Sequence, residues 1–127
     1  LMHTEQCSFI PGRSTSMNLR RLAHVLHEVE ESDEELAIVS IDIVKAFNTV
    51  DWQYLDKVLV AMGIGPTFRA WVQLLYTDPI ASVSVGKSRS EIWAIERGTR
   101  QGCPLSLLLF DMALESLTRW IRKELMN

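Results

Sequence analysis

Asp42 closes the apolar run Leu36-Ala37-Ile38-Val39-Ser40-Ile41. About half a chain later, Arg97-Gly98-Thr99-Arg100-Gln101-Gly102-Cys103-Pro104-Leu105-Ser106 leads from a polar turn into a helical pattern. A carboxylate at the carboxyl end of a buried strand is a natural ligand for magnesium, which prefers carboxylate and phosphate oxygens in octahedral geometry. A Gly-flanked turn that opens a helix can seat a base pair and a nucleotide. Glycine lets backbone approach closely, and the free N–H groups of a helix start favour phosphate. Together the two segments read as one half of a polymerase active site. Taken singly, each has a plainer reading: Asp42 as a turn cap at a strand end, and the second segment as an ordinary helix-entry loop.

These residues need elements to position them. Phe9-Ile10-Pro11-Gly12-Arg13 reads as a turn, after which Ser14 or Thr15 can cap a helix carrying Leu19, Leu22, Ala23, Leu26 and Val29 at helical spacing. Glu31-Ser32-Asp33-Glu34-Glu35 is a solvated loop. Leu36 to Ile41 suits a central strand buried on both faces, with Ser40 and Asp42 on one side of it. Asp51 caps a helix through Met62 with Leu55, Val58, Leu59 and Met62 inward, and Gly63 stops it. Pro66 opens the next helix, with Phe68, Trp71, Val72, Leu75 and Tyr76 on its apolar face. Ala81–Val85 and Glu91–Ile95 alternate as two strands joined by the loop Gly86-Lys87-Ser88-Arg89-Ser90. Pro104 starts a long helix through Leu105, Leu108, Leu109, Met112, Leu117 and Ile121. The order helix, strand, helix, helix, hairpin, helix predicts an α/β (α+β) layer: a central strand with a hairpin, flanked by helices.

With 127 residues, 47% hydrophobic and 23% charged, the chain has globular composition and the length of one domain or a piece of one. Net charge is −3, which argues against strong autonomous nucleic-acid binding by bulk charge. Cations are instead local: Arg13, Arg20 and Arg21, then Lys87, Arg89, Arg97 and Arg100. Cys7 and Cys103 form no CxxC pair, so neither a zinc site nor a disulfide framework follows, and two reduced thiols in an intracellular protein are expected. No apolar run approaches the ~20 residues that span a bilayer, and no signal peptide pattern opens the chain. The two ends read as those of a fragment. The four tryptophans, Trp52, Trp71, Trp93 and Trp120, read as core or domain-contact residues. His24 and His27 share a helix face, with a metal role the weaker reading.

Three blocks resemble reverse transcriptases of the non-LTR (LINE-type) retrotransposon family. They are Gln6-Cys7-Ser8-Phe9-Ile10-Pro11-Gly12-Arg13-Ser14; Ser40-Ile41-Asp42-Ile43-Val44-Lys45-Ala46-Phe47-Asn48, similar to the family's motif A; and Gly98 through Phe110, similar to motif B. The resemblance covers nearly the whole chain. It implies part of a right-hand polymerase, the fingers base and palm over residues 1–127, without the thumb or the Asp-Asp hairpin of the third motif; no Asp-Asp pair occurs in this sequence. It implies RNA-directed DNA synthesis with Mg2+, an RNA template, a DNA primer and deoxynucleotides, in the cytoplasm or nucleus; no membrane partner is expected, and the oligomeric state stays open. By resemblance Asp42 is the catalytic carboxylate and metal ligand, assisted by the carbonyl of Ile43. Phe47 is the gate that excludes a ribose 2′-OH, with an ordinary core Phe as the plainer reading. Gln101 and Gly102 contact nucleotide and template. Lys45 reads equally as a phosphate or template contact or a solvated cation. Arg97 and Arg100 read as backbone-phosphate contacts or rim charges, and Arg13, in a block that resembles the family's fingers loop, as a cation near the template strand or part of a plain turn.

Three positions depart from the family pattern. Ser8 stands where Gly is usual, predicting strain if a positive φ falls there. Asn48 stands where Asp is usual, removing a charge. Leu107 replaces a usual Pro, permitting a more regular helix start. Two ions about 3.5–4 Å apart need more than one carboxylate, so the chain alone is expected to be inactive as a polymerase, and to expose apolar surface. Two rival readings remain: a non-catalytic nucleic-acid- or protein-binding relic of a transposon, and an unrelated magnesium enzyme in which Asp51 or Asp111 joins Asp42.

Overall fold

The computed structural model describes residues 2–32 and 35–125. Asp33 and Glu34 of the expected acidic loop, and the final Met126 and Asn127, lie outside the described residues. The chain divides into two units, Leu1–Val44 and Lys45–Asn127. Among the described residues it is a mixed fold of helices and small antiparallel sheets.

In the first unit, helix α1 spans Thr15–Glu30. Ser14 is its cap, in extended backbone, with Oγ accepting the Ser16 N–H at 3.3 Å. The preceding loop is tied to the helix and to itself. Asn18 Nδ2 donates to the Glu5 carbonyl at 3.0 Å, Cys7 Sγ donates to Asn18 Oδ1 at 3.4 Å, and Arg21 pairs with Glu5. The positive φ falls at Phe9 (56°) and at Gly12 (77°), not at Ser8. The departure from glycine at position 8 therefore carries no backbone strain.

Two expectations for this unit are corrected. Helical spacing in α1 is correct, but none of its residues is buried, and Leu19, Leu22 and Leu26 are exposed. The run Leu36–Ile41 is not a strand; Ile38, Val39 and Ile41 are all more than half exposed. Apolar β-branched residues suit a pleated surface, yet a strand exists only through its ladder partner. No described segment pairs with this one.

The second unit holds the core. Lys45 adopts φ 50° and leads into a 3₁₀ turn, Ala46–Thr49. Helix α2, Trp52–Ala61, begins at Asp51, whose Oδ1 accepts the Tyr54 N–H at 2.8 Å. It ends in a Schellman motif: Ile64 N–H to Leu59 O and Gly63 N–H to Val60 O, both 2.9 Å, with Gly63 at φ 74°. Helix α3, Pro66–Leu75, starts on Pro66, and only Val72 of its expected face is buried. Leu55, Val58 and Leu59 of α2 are buried, as are Leu109, Met112 and Ala113 of helix α4, Pro104–Leu125, and α2 packs on α4. Tyr54 Oη donates to the Ala113 carbonyl at 2.9 Å. Trp71, Trp93 and Trp120 are exposed rather than core. On α4, Leu108 and Leu117 are exposed as well, so the apolar pattern along the final helix exceeds what this unit covers.

The hairpin differs in detail from expectation. Strand β1 (Ile80–Ala81) pairs with β4 (Trp93–Ala94), and β2 (Ser84–Val85) with β3 (Ser88–Arg89). The loop is the two-residue turn Gly86-Lys87, with Gly86 at φ 60°, the place a type II′ turn gives to glycine. The register shifts by one residue between the two pairs, as a bulge requires. Ser90 bridges the shift: its N–H donates to Val83 O at 2.8 Å and its Oγ accepts the Val83 N–H at 2.9 Å.

Asp56 of α2 takes two 3.0 Å hydrogen bonds from Arg69 of α3. Those bonds hold its carboxyl below the ordinary 3.8, against the opposing effect of burial. A lowered folded pKa contributes stability that is present above the unfolded value and lost as pH falls through the folded one. Urea unfolding across an acid pH series should therefore show wild type losing its advantage over Asp56→Asn below about pH 3.8.

Candidate functional site

The end of the motif A-like segment and the start of the motif B-like segment are clasped together within the second unit. Thr99 N–H donates to Phe47 O at 2.7 Å and Gly98 N–H to Val50 O at 2.8 Å. Trp52 Nε1 donates to Gly98 O at 2.8 Å. Gly98 has φ 98°, and a Cβ there would lie 2.8 Å from Asn48 Cα. The approach is thus closer than any side chain permits. Phe47 is half-buried and its ring packs on Phe110 of α4, with centroids 4.4 Å apart at 33°.

Beside the clasp lies a groove of about 520 Å³. Its apolar wall is built from Trp52, Leu75, Tyr76, Pro79, Ile80 and Ile95, and its polar side from Asn48, Arg97, Arg100, Gln101, Cys103 and Ser106. Trp52 stacks on Tyr76 with centroids 5.1 Å apart and planes 14° from parallel. The volume is that of a small-ligand cleft. Burial pushes the Tyr76 phenol above 10.0, with a hydrogen bond from Ser106 opposing it. The Cys103 thiol lies below 9.0, chiefly through the Ser106 backbone and side chain, with Leu105 N–H and the Arg100 charge adding to it. Cys7 is buried. Alkylation by iodoacetamide near neutral pH should therefore label Cys103 well before Cys7 in peptide mass mapping, with a rate that rises through a pH below 9.0.

Of the residues singled out from sequence, the structure gathers Arg97, Arg100 and Gln101 on this groove, all exposed and none in an ion pair among the described residues. Gly102 follows at φ 81° with open space where a Cβ would be. Lys45 is exposed, and its φ of 50° turns the chain into the 3₁₀ turn that carries Phe47. Asp42 and Ile43 belong to the first unit and are exposed, outside any helix or strand. Arg13, also in the first unit, donates from Nη1 to the carbonyls of His3 and of Gln6, the latter at 2.7 Å. Sequence reasoning missed Trp52, Tyr76 and Thr99 as parts of the site, because no local period marks a stack or a clasp between distant segments. Gly98 heads the Gly-x-x-Gln-Gly run, so its presence was visible, but the backbone it packs against was not.

The donor set does not fit a complete two-ion centre. No group of three His, Cys, Asp or Glu side chains among the described residues could hold a metal ion. Asp51 is engaged as the cap of α2, and Asp111 is buried at 1% exposure. Asp42 thus offers one carboxylate where two ions require several.

The chain belongs to the reverse transcriptase (RNA-dependent DNA polymerase) family, whose model matches residues 1–127. Its relatives are proteins of non-LTR retrotransposons. It is similar to the Transposon TX1 uncharacterized 149 kDa protein of Xenopus laevis, 35% identical over 125 residues, covering 98% of this chain and 10% of that protein. It is also similar to the Pol polyprotein of the type-1 retrotransposable element R2 of Bradysia coprophila, 29% identical over 119 residues, covering 94% and 14% respectively. The R2DM Pol polyprotein of Drosophila melanogaster is 28% identical over 120 residues, covering 94% and 11%. The chain spans about a tenth of the length of these relatives. Family members are nucleotidyltransferases that use divalent metal, and no helix among the described residues is long and apolar enough to cross a membrane.

Proposed function

We propose that residues 1–127 form the fingers-base and palm portion of an RNA-directed DNA polymerase from a non-LTR retrotransposon, acting on an RNA template, a DNA primer and deoxynucleotides inside the cell, in the cytoplasm or nucleus. The observation that carries this reading is the groove: it gathers Gln101, Arg97 and Arg100 beside a backbone clasp to Phe47, in a chain matched throughout by the family. Gln101 and Gly102 would meet the nascent base pair, and Phe47, braced on Phe110, would exclude a 2′-OH. Arg97, Arg100, Arg13 and Lys45 would meet backbone phosphate without reading sequence. Asp42 and the Ile43 carbonyl would contribute to a Mg2+ site that needs carboxylates not found in this sequence.

Binding and synthesis should therefore separate. The chain should bind an RNA·DNA primer–template in fluorescence anisotropy, weakening as salt rises, and should not extend the primer. Extension by the chain alone would overturn the incomplete-centre reading, and absence of salt-dependent binding would overturn the groove reading. The alternative is a non-catalytic binding relic, in which no Asp-Asp pair completes the centre. Joining the chain to a segment that supplies such a pair distinguishes the two. Extension that Asp42→Asn abolishes supports the polymerase, and binding without extension supports the relic.

A further inference from the structure

Trp52 is the first residue of α2, and its indole has two jobs. The ring stacks on Tyr76 at the groove wall, and Nε1 donates to the Gly98 carbonyl 46 residues along the chain. Gly98 is buried. Its carbonyl would be left without a protein donor if the indole N–H were removed, and a buried acceptor without a partner is costly. The Gly98 and Thr99 amides are already committed to Val50 and Phe47. With the Thr99 hydroxyl also donating to Phe47 O at 3.4 Å, the indole bond completes a four-bond clasp on a two-residue segment flanked by Arg97 and Arg100. A rigid ring with a single N–H does this at small entropic cost.

We propose that Trp52 is a positioning residue for nucleic-acid binding: by clasping Gly98 it fixes the turn so that Arg97 and Arg100 hold their guanidinium groups over backbone phosphates. The proposal rests on the reading of the groove as a nucleic-acid contact. A cation on a fixed turn needs no ordering of its loop on binding, whereas the same cation on a loosened turn does. Where the loosened turn does not re-order, Arg97 and Arg100 no longer reach the phosphates, so Trp52 sets how many phosphates the turn engages, which a merely stabilising core residue would not alter.

The experiment uses the 127-residue chain, a labelled RNA·DNA primer–template, and Trp52→Phe, which keeps a ring on Tyr76 and deletes the N–H. Site-specific β-3-benzothienylalanine at position 52 keeps the indole shape and removes only the donor, so it serves even where Trp52→Phe folds poorly. Without nucleic acid, amide exchange at Gly98 and Thr99 should quicken by roughly three- to tenfold, the worth of one hydrogen bond. The slope of log K against log salt should fall by about 1–2, the loss of one or two phosphate contacts. It should match Arg97→Gln/Arg100→Gln and fall no further when combined with it. Unchanged exchange, or quickened exchange with an unchanged slope, overturns the proposal while leaving the groove reading intact. Failure of the unmodified chain to bind at all overturns both.

Discussion

Gly98→Ala is expected to destabilise the Lys45–Asn127 unit by about 3 kcal/mol and to lower its melting temperature by roughly 10–20 °C. Two effects combine. The residue sits at φ 98°, where L side chains are strained, and the added Cβ would lie 2.8 Å from Asn48 Cα and 2.9 Å from its carbonyl oxygen. Both atoms are backbone, and the segment that carries them is held by hydrogen bonds from the Gly98 and Thr99 amides and the Thr99 hydroxyl. The contact cannot be relieved by rotating a side chain. Either the clasp opens or the 3₁₀ turn moves, and both displace Phe47 from the groove-side turn. Gly102→Ala is the control. Its φ is 81° but nothing lies within 4 Å of its Cβ position, so it carries only the conformational strain, about 1 kcal/mol. Thermal melts followed by circular dichroism check the pair. Equal melting temperatures for the two variants would mean that the close approach to Asn48 contributes nothing.

What the sequence reveals and what it hides divide along the range of the interactions. Ser14, Asp51, Gly63 and Pro66 act on backbone within a few residues of themselves, so their types and order are enough to place α1, α2 and α3. The start of α4 at Pro104 is legible for the same reason. Leu36–Ile41 fails because propensity alone does not make a strand: the ladder partner is not among the described residues. In the hairpin, alternation locates the two arms, but the register shift hangs on one Ser90 side chain that period-2 reasoning does not weigh. The site is legible in part. Gln101, Arg97 and Arg100 are visible as a motif, and they do share one groove. The Trp52–Tyr76 wall and the Gly98–Asn48 approach are tertiary, between segments whose meeting no local pattern encodes. Apolar spacing likewise overstates the core, since α1 follows the helical period and buries nothing.

One of the two buried acids on α4, Glu115, gives the second large effect. Glu115 is 1% exposed, and its Oε1 accepts from Arg119 Nε at 2.9 Å and from Arg122 Nη2 at 3.2 Å. Oε2 is buried with no hydrogen-bond partner. A carboxylate in that position is tolerated because two guanidinium groups from the next turns reach it, one of them more than half in water. Arg119→Ala/Arg122→Ala removes those partners while the carboxylate stays buried. The expected cost is about 3 kcal/mol, the low end for breaking a buried pair because the guanidinium groups remain partly solvated. Glu115→Met should behave oppositely. It removes the buried carboxylate with its unmatched oxygen and fills a similar volume on the buried part of α4. Its stability in urea should equal or exceed wild type, by up to about 2 kcal/mol. The triple variant separates the explanations. If the arginines matter only through Glu115, removing them from the Glu115→Met background costs little more than their packing. If the loss of about 3 kcal/mol persists in that background, the arginines stabilise α4 by another route, and the buried acid is not the reason they are there.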